Sequence, residues 1–249
     1  ILKRLYPKDR AAVQKAFHQL NQHNLASYLL DITEDILQKK EQEEWLLDKV
    51  LDVAKQKGTG KWTACVSLEY GVPVPSLIEA VEARFLSSMK AQRLQAEQCY
   101  AGTQDEETGN EQLAADLYKA VLLAKTSIYA QGFSLIAAVN AQCGYHIDTK
   151  QLAVIWQNGC IIKSEFLKDI YQAYDKDANL TNLLVSDQFT RVCETGQRGF
   201  TAHHQLRSAK GLVYTGFMQC DELCQWLHHG KSGNESDTGT AGLLWCTHL

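Results

Sequence analysis

The sequence is poor in proline, with 3 residues in 249, where average usage of about 5% would give roughly 12. Few prolines suit long helices, because each one removes a backbone donor and crowds the preceding turn. No run of about 18 consecutive apolar residues occurs, which argues against a membrane partner on that criterion. Positive charge is not in excess. Lys and Arg number 25 against 29 Asp and Glu, a net charge of −4, whereas a nucleic-acid binder held mainly by charge is usually basic. Neither Met nor a signal-peptide pattern opens the chain at Ile1, so it is expected to be processed or a piece of something longer. A disulfide framework is missing too. The 8 cysteines are scattered through a chain long enough to bury its own core. They read as free thiols in a reducing, cytoplasmic setting, behaving as small apolar residues.

What is present is helical periodicity. Residues 11–40 read as helix, interrupted near Asn21 to Asn24, with Leu25, Tyr28, Leu29, Ile32, Ile36 and Leu37 then recurring at steps of three and four. Residues 45–57 read as a second helix ended by Gly58 and Gly60, and 62–70 as a short helix ended by Gly71. Ser76 with Glu79 forms a capping-box pattern for a helix from Leu77 to about Gln98. The acidic run 102–110 reads as a solvated loop. Residues 111–140 read as one long helix with Leu113, Leu117, Val121, Leu122, Ile128 and Phe133 as its apolar set. Gly132 inside it suggests a packing position that needs a small residue. Three shorter helices are expected over 149–156, 163–174 and 179–192, and no useful strand pattern occurs. After about Phe200 periodicity is lost, and a stretch that long without it is uncommon in a compact domain. The expected organisation is an all-α domain over 1–200 and an irregular or disordered tail over 201–249.

The first candidate site is Lys57-Gly58-Thr59-Gly60-Lys61. Two glycines let the backbone approach a ligand, and the following helix offers free N–H groups beside two lysines, which suits a phosphate or other oxyanion. It is not a Walker A loop, because Trp62 follows Lys61. A solvated basic turn between helices is the competing reading. Arg84 stands alone among apolar and small residues and suits a forked phosphate contact. An ion pair with Glu79 or Glu82 competes with that. Cys220, Cys224, His228 and His229 fall at helical spacing but match no zinc-finger spacing, so no metal site is expected. Glu43-Glu44 and Glu106-Glu107 read as solvated surface.

The segments 56–63 (QKGTGKWT), 68–88 (LEYGVPVPSLIEAVEARFLSS), 127–133 (SIYAQGF) and 153–170 (AVIWQNGCIIKSEFLKDI), in this order, resemble the C-terminal helical domain of 6-phosphogluconate dehydrogenases, and 25–37 fits as well. The resemblance spans roughly residues 15 to 195. It implies an all-α domain supplying most of a homodimer interface. It also implies an enzyme that oxidises 6-phosphogluconate at C3 with NADP, releases carbon dioxide and forms ribulose 5-phosphate. Lys57, Thr59 and Arg84 match family positions that hold the substrate, chiefly its phosphate. The family's dinucleotide fold, general-base lysine and acid glutamate have no counterpart here, so no catalytic or cofactor-binding residue is assigned. This chain alone is expected to be inactive, since binding without the reacting groups gives no turnover. The alternatives are a non-catalytic helical dimerisation or interaction domain and, third, an independent phosphate-binding module. DNA upstream of Ile1 separates the first two readings: an in-frame dinucleotide fold supports the enzyme, a genuine start codon the interaction domain.

The family's tail reads Gln-Arg-Asp-Tyr-Phe-Gly-Ala-His-Thr-Tyr, and its Arg and His reach the neighbouring subunit's site. Residues 241–249 here can be encoded as GCG GGA TTA CTT TGG TGC ACA CAC TTA. Read one nucleotide later, this gives Arg-Asp-Tyr-Phe-Gly-Ala-His-Thr. The same shift turns His203-His204-Gln205-Leu206 into Ile-Ile-Ser-Tyr, which suits the family's helix. A frameshift near residue 200 is therefore expected. Cys220, Cys224, His228 and His229 should then hold no metal, and Arg207 and His248 should not replace the family's tail residues. The nucleotide sequence from codon 195 onward is the check: adding or removing one base should restore the family's tail, and failure to do so ends the frameshift reading.

Overall fold

The computed structural model describes residues 2, 6, 9–55, 57–99 and 111–202. The acidic run with Glu106 and Glu107, and the tail with Cys220, Cys224, His228, His229, Arg207 and His248, lie outside the described residues. The described chain is helical. Its helices are α1 (Arg10–Leu20), α2 (Tyr28–Gln38), α3 (Leu46–Lys49), α4 (Thr59–Tyr70), α5 (Pro75–Ser88), α6 (Lys90–Cys99), α7 (Glu111–Cys143), α8 (Thr149–Trp156), α9 (Phe166–Lys176) and α10 (Asp187–Ala202). Short 3₁₀ turns occupy His23–Leu25 and Leu183–Val185. Among the described residues the sheet content is one antiparallel hairpin, β1 (Lys40–Glu41) with β2 (Glu44–Trp45).

Polar side chains fix several helix starts. Asp9 accepts from the Ala12 N–H at 2.9 Å, and Asp148 from the N–H groups of Lys150 and Gln151 at 2.8 and 3.2 Å, satisfying donors that a helix leaves unpaired. Two apolar clusters form the core. One packs Phe166, Leu167, Ile170, Ala173 and Tyr174 of α9 against Leu123, Ala130 and Phe133 of α7, Ala153 of α8, and Phe189 and Cys193 of α10. The other joins Val13, Ala16 and Leu20 of α1 to Leu25 of the first 3₁₀ turn, Leu37 of α2 and Leu117 of α7. Leu122 packs against both. A backbone clamp also links the two regions: Tyr28 N–H donates to the Lys163 carbonyl at 3.1 Å, and Glu165 N–H to the Ala26 carbonyl at 3.0 Å.

Some sequence expectations need correction. Among the described residues of 45–57, only Leu46–Lys49 is helical. The next residues find partners on α5 and α6: Ala54 N–H donates to Ser87 Oγ at 3.0 Å, and Asp52 pairs with Lys90 and Arg93. The helix expected from Leu77 begins at Pro75, whose fixed φ suits a first helical position, and breaks at Met89. There the Ser88 hydroxyl bonds back to the Phe85 carbonyl at 2.6 Å and Arg93 takes the Ser87 carbonyl at 2.8 Å. Ser76 is not the cap, because Val74 is. In α7, Ile128 is exposed, Leu123, Ala130 and Leu135 are buried instead, and the Leu113 side chain lies outside the described ones. Of the described cysteines only Cys193 packs as a buried apolar residue, while Cys65, Cys99 and Cys143 are exposed.

Helix α7 also refines the membrane argument. No unbroken apolar run exists, yet Ala115–Cys143 is long and apolar enough by length and composition to cross a membrane. Its buried polar residues argue for a core helix. Asp116 accepts from Gln112 and Lys119, each at 3.0 Å, and Thr126 donates to the Leu122 carbonyl at 2.8 Å. Lys125 lies on the same helix with its Nζ 5.4 Å from the Phe166 ring centre. Burial pushes its pKa down to about 8, partly opposed by the charge of Asp169. A depressed lysine pKa means that the charged form costs folding free energy at neutral pH. That cost fades as pH rises from about 8 toward the unfolded value of about 10.4. Lys125→Met should therefore stabilise the protein at neutral pH and much less at pH near 10, read by urea denaturation at both.

Gly132 has open space where a Cβ would stand, whereas a Cβ on Gly196 would lie 2.7 Å from Leu123 Cβ. The close helix approach is thus between α10 and α7 at Gly196. Gly132→Ala should stabilise by up to about 1 kcal/mol through helix propensity. Gly196→Val should destabilise by about 2 kcal/mol through overpacking. Equal effects in urea unfolding would refute the assignment.

Candidate functional site

The predicted anion-binding segment lies where α4 starts. Gly58 takes φ +98°, a left-handed conformation that favours glycine, and precedes α4 without any side-chain cap. The first N–H groups of α4 are therefore left open at the positive end of the helix dipole. The Trp62 N–H donates to the Gly58 carbonyl at 3.1 Å and the Thr63 hydroxyl to the Thr59 carbonyl at 3.1 Å, which holds the first turn. Helix α4 can approach α5 closely because Gly60 has no side chain. A Cβ there would come within 2.6 Å of Val81 Cγ2.

Arg84 lies one helical turn beyond Val81 on α5. Its Nη1 donates to the Lys55 carbonyl at 3.4 Å, which attaches α5 to the strap leading into Lys57. The strap is pinned at two further points. The Ser87 hydroxyl accepts from Ala54 N–H at 3.0 Å and donates to the Arg84 carbonyl at 2.8 Å. Lys90 Nζ and Arg93 Nη1 reach the two Asp52 carboxylate oxygens at 2.8 and 2.9 Å. Hydrogen bonds from Lys90 and Arg93 hold the Asp52 pKa down at about 2, so the pins persist through the neutral range.

Lys57, Thr59 and Arg84 are all exposed, and the helix packing and strap bring them to one end of the α4–α5 pair. Arg84 pairs with neither Glu79 nor Glu82 among the described residues, which removes the competing ion-pair reading. Lys55, Lys57 and Lys61 likewise have no carboxylate partner there. The result is a patch of uncompensated positive charge beside open backbone donors, suited to an anion. Glu43 and Glu44 are solvent-exposed, as expected. No group of three or more His, Cys, Asp or Glu capable of holding a metal occurs among the described residues.

Sequence reasoning missed Asp52, Ser87 and Arg93, which position the strap. Ser87 sits inside a quoted segment, but its use depends on which loop α5 meets. It also missed Gln131. Gln131 Oε1 accepts from Ser76 N–H at 3.0 Å and its Nε2 donates to Ser76 Oγ at 2.9 Å, both residues being buried. That pair fixes the start of α5 on α7.

Comparison with known proteins agrees with this architecture. The family model described as "6-phosphogluconate dehydrogenase, C-terminal domain" matches residues 1–230. The decarboxylating 6-phosphogluconate dehydrogenase of Schizosaccharomyces pombe is 40% identical over 202 residues, 80% of this chain and 41% of that protein. The NADP(+)-dependent decarboxylating enzyme of Bacillus subtilis is 36% identical over 221 residues, 87% of this chain and 47% of its own length. A solved structure of the Plasmodium falciparum 6-phosphogluconate dehydrogenase superposes with a TM-score of 0.83 at 28% identity, covering 94% of this chain and 50% of that one. The chain thus spans about half the length of the relatives it matches. Helical architecture, segment order and family match converge on one assignment: this chain belongs to the 6-phosphogluconate dehydrogenase family and corresponds to its C-terminal domain.

Proposed function

We propose that this chain supplies the phosphate-holding part of a substrate site for the NADP-dependent oxidative decarboxylation of 6-phosphogluconate to ribulose 5-phosphate. The observation that carries this reading is the uncompensated cluster of Lys57 and Arg84 beside the uncapped start of α4. The Thr59 hydroxyl and the first α4 N–H groups would take phosphate oxygens. Lys57 and Arg84 would neutralise its charge, with Arg84 offering a forked contact. Holding the phosphate at one end orients the sugar acid for chemistry at the other.

NADP supplies the hydride acceptor in this reaction. The described residues offer it no glycine-fingerprint turn in a parallel sheet, the sheet content being a hairpin of two-residue strands. We assign binding and orientation to this chain, and proton transfer and cofactor binding to the family's other half. The free thiols Cys65, Cys99, Cys143, Cys160 and Cys193 suit a cytoplasmic setting. The frame change near residue 200 and the 1–200 domain boundary belong to the same proposal and rest on the nine-codon correspondence at 241–249.

A second reading, a helical dimerisation or interaction domain without catalysis, is favoured by large apolar side chains left in solvent, among them Leu51, Trp62, Leu68 and Ile155. Apolar surface of this kind marks association where it is contiguous. It is compatible with the first reading, since a homodimer would use it too.

Trp62 is 70% exposed and lies five residues from Lys57, so its fluorescence gives the test. Titration with 6-phosphogluconate should show saturable binding that inorganic phosphate displaces and gluconate displaces poorly. Arg84→Met should weaken it about tenfold or more, as expected for loss of a charge-assisted contact of about 1.5–3 kcal/mol. Absence of binding, or equal affinity in the Arg84 variant, would overturn the proposed phosphate site and leave the interaction-domain reading.

A further inference from the structure

The turn after α8 contains Asn158-Gly159, the sole Asn-Gly pair in the sequence. Three observations single it out. Both residues are exposed. The Asn158 carboxamide makes no hydrogen bond among the described residues, and neither does the Gly159 N–H; the local bond is Asn158 N–H to the Ile155 carbonyl at 3.3 Å. Open space surrounds Gly159, which takes φ +71° and has no atom within 4 Å of where a Cβ would stand. Among the other described asparagines, Asn24 and Asn179 also leave the carboxamide unbonded but are followed by leucine, whose side chain hinders ring closure, and the rest differ. Asn21, Asn140 and Asn182 each use both ends of the carboxamide, as in Asn140, which donates to the Ile147 carbonyl at 3.1 Å and accepts from Ile147 N–H at 2.8 Å. A carboxamide held at both ends cannot swing toward the following backbone nitrogen.

We propose that Asn158 is a site of spontaneous covalent modification, deamidating through a cyclic imide with Gly159. The Gly159 backbone nitrogen attacks Asn158 Cγ, forming a five-membered ring. The bond from Cγ to the carboxamide nitrogen breaks, and ammonia leaves with the proton lost from the Gly159 nitrogen. Water then opens the ring at either carbonyl, giving aspartate or isoaspartate without any change of oxidation state. Glycine at the second position removes the side chain that would hinder ring closure. Either product adds one negative charge to the turn. Isoaspartate also lengthens the main chain by one carbon ahead of Lys163 and Glu165, the residues whose backbone holds Ala26 and Tyr28.

The test ages the intact protein in mildly alkaline buffer beside a synthetic peptide of residues 153–163, and follows Asn158 by peptide mass and isoaspartate assay. The folded protein should react within about tenfold of the peptide rate, a barrier difference under about 1.4 kcal/mol. Asn21, Asn140 and Asn182 should remain intact, and Asn158→Gln, which cannot form the five-membered ring, should abolish the conversion at that position. Protection of Asn158 by more than tenfold, or earlier conversion at Asn140, would overturn the proposal. Neither result depends on phosphate binding at the Arg84 patch.

Discussion

The contact on which the rest of the site depends is the buried pair between Ser76 and Gln131. A glutamine amide away from water must have its donor and acceptor met, because an unpaired one costs about 1–3 kcal/mol. Ser76 meets both, with its backbone N–H on the amide oxygen and its hydroxyl on the amide nitrogen. The geometry leaves little choice of register. It sets the first turn of α5 against the middle of α7, and α5 then carries Val81, Arg84 and Ser87 to their partners. Gly60 lets α4 approach Val81, while Ser87 and Arg84 hold the strap that ends at Lys57. The cationic patch is thus built from the core outward, through three successive polar attachments.

The polar attachments divide labour by exposure. Ser76 and Gln131 are buried and fix position. Asp52, Lys90 and Arg93 are at the surface, where an ion pair adds little stability, but their geometry decides where the strap runs. Arg84, Lys57 and their lysine neighbours carry charge that no carboxylate among the described residues cancels. Uncancelled like charge repels itself and is poor economy for folding alone, which is why it points to a ligand.

Much of this was legible in the chain. The recurrence of apolar side chains marked α2 and α7, and the glycines at 58 and 60 marked the start of an anion site, because these signals are local. The reading failed where partners are distant in sequence. Residues 50–57 carry helix-compatible side chains, but Ser87, Lys90 and Arg93 supply better bonds than a helix would. Ser76 looked like a cap because Ser with Glu79 fits the pattern, and only Gln131, on another helix, reassigns it. Gly132 was read as the close-packing position, and the neighbour Leu123 gives that role to Gly196 instead. Arg84 was ambiguous for the same reason, since Glu79 and Glu82 are near in sequence and unengaged with it in space.

The single long helix running through both apolar clusters has a consequence for how the chain acquires its shape during synthesis. The cluster built on α1 and α2 closes them over Leu117, which belongs to α7. Its apolar faces therefore stay uncovered until the ribosome has delivered Leu117, far along the chain from Leu37. The backbone clamp waits longer still, since Ala26 and Tyr28 are held by residues 163–165. Contacts so far apart along the chain form slowly, and exposed apolar surface in the interval invites association with other chains.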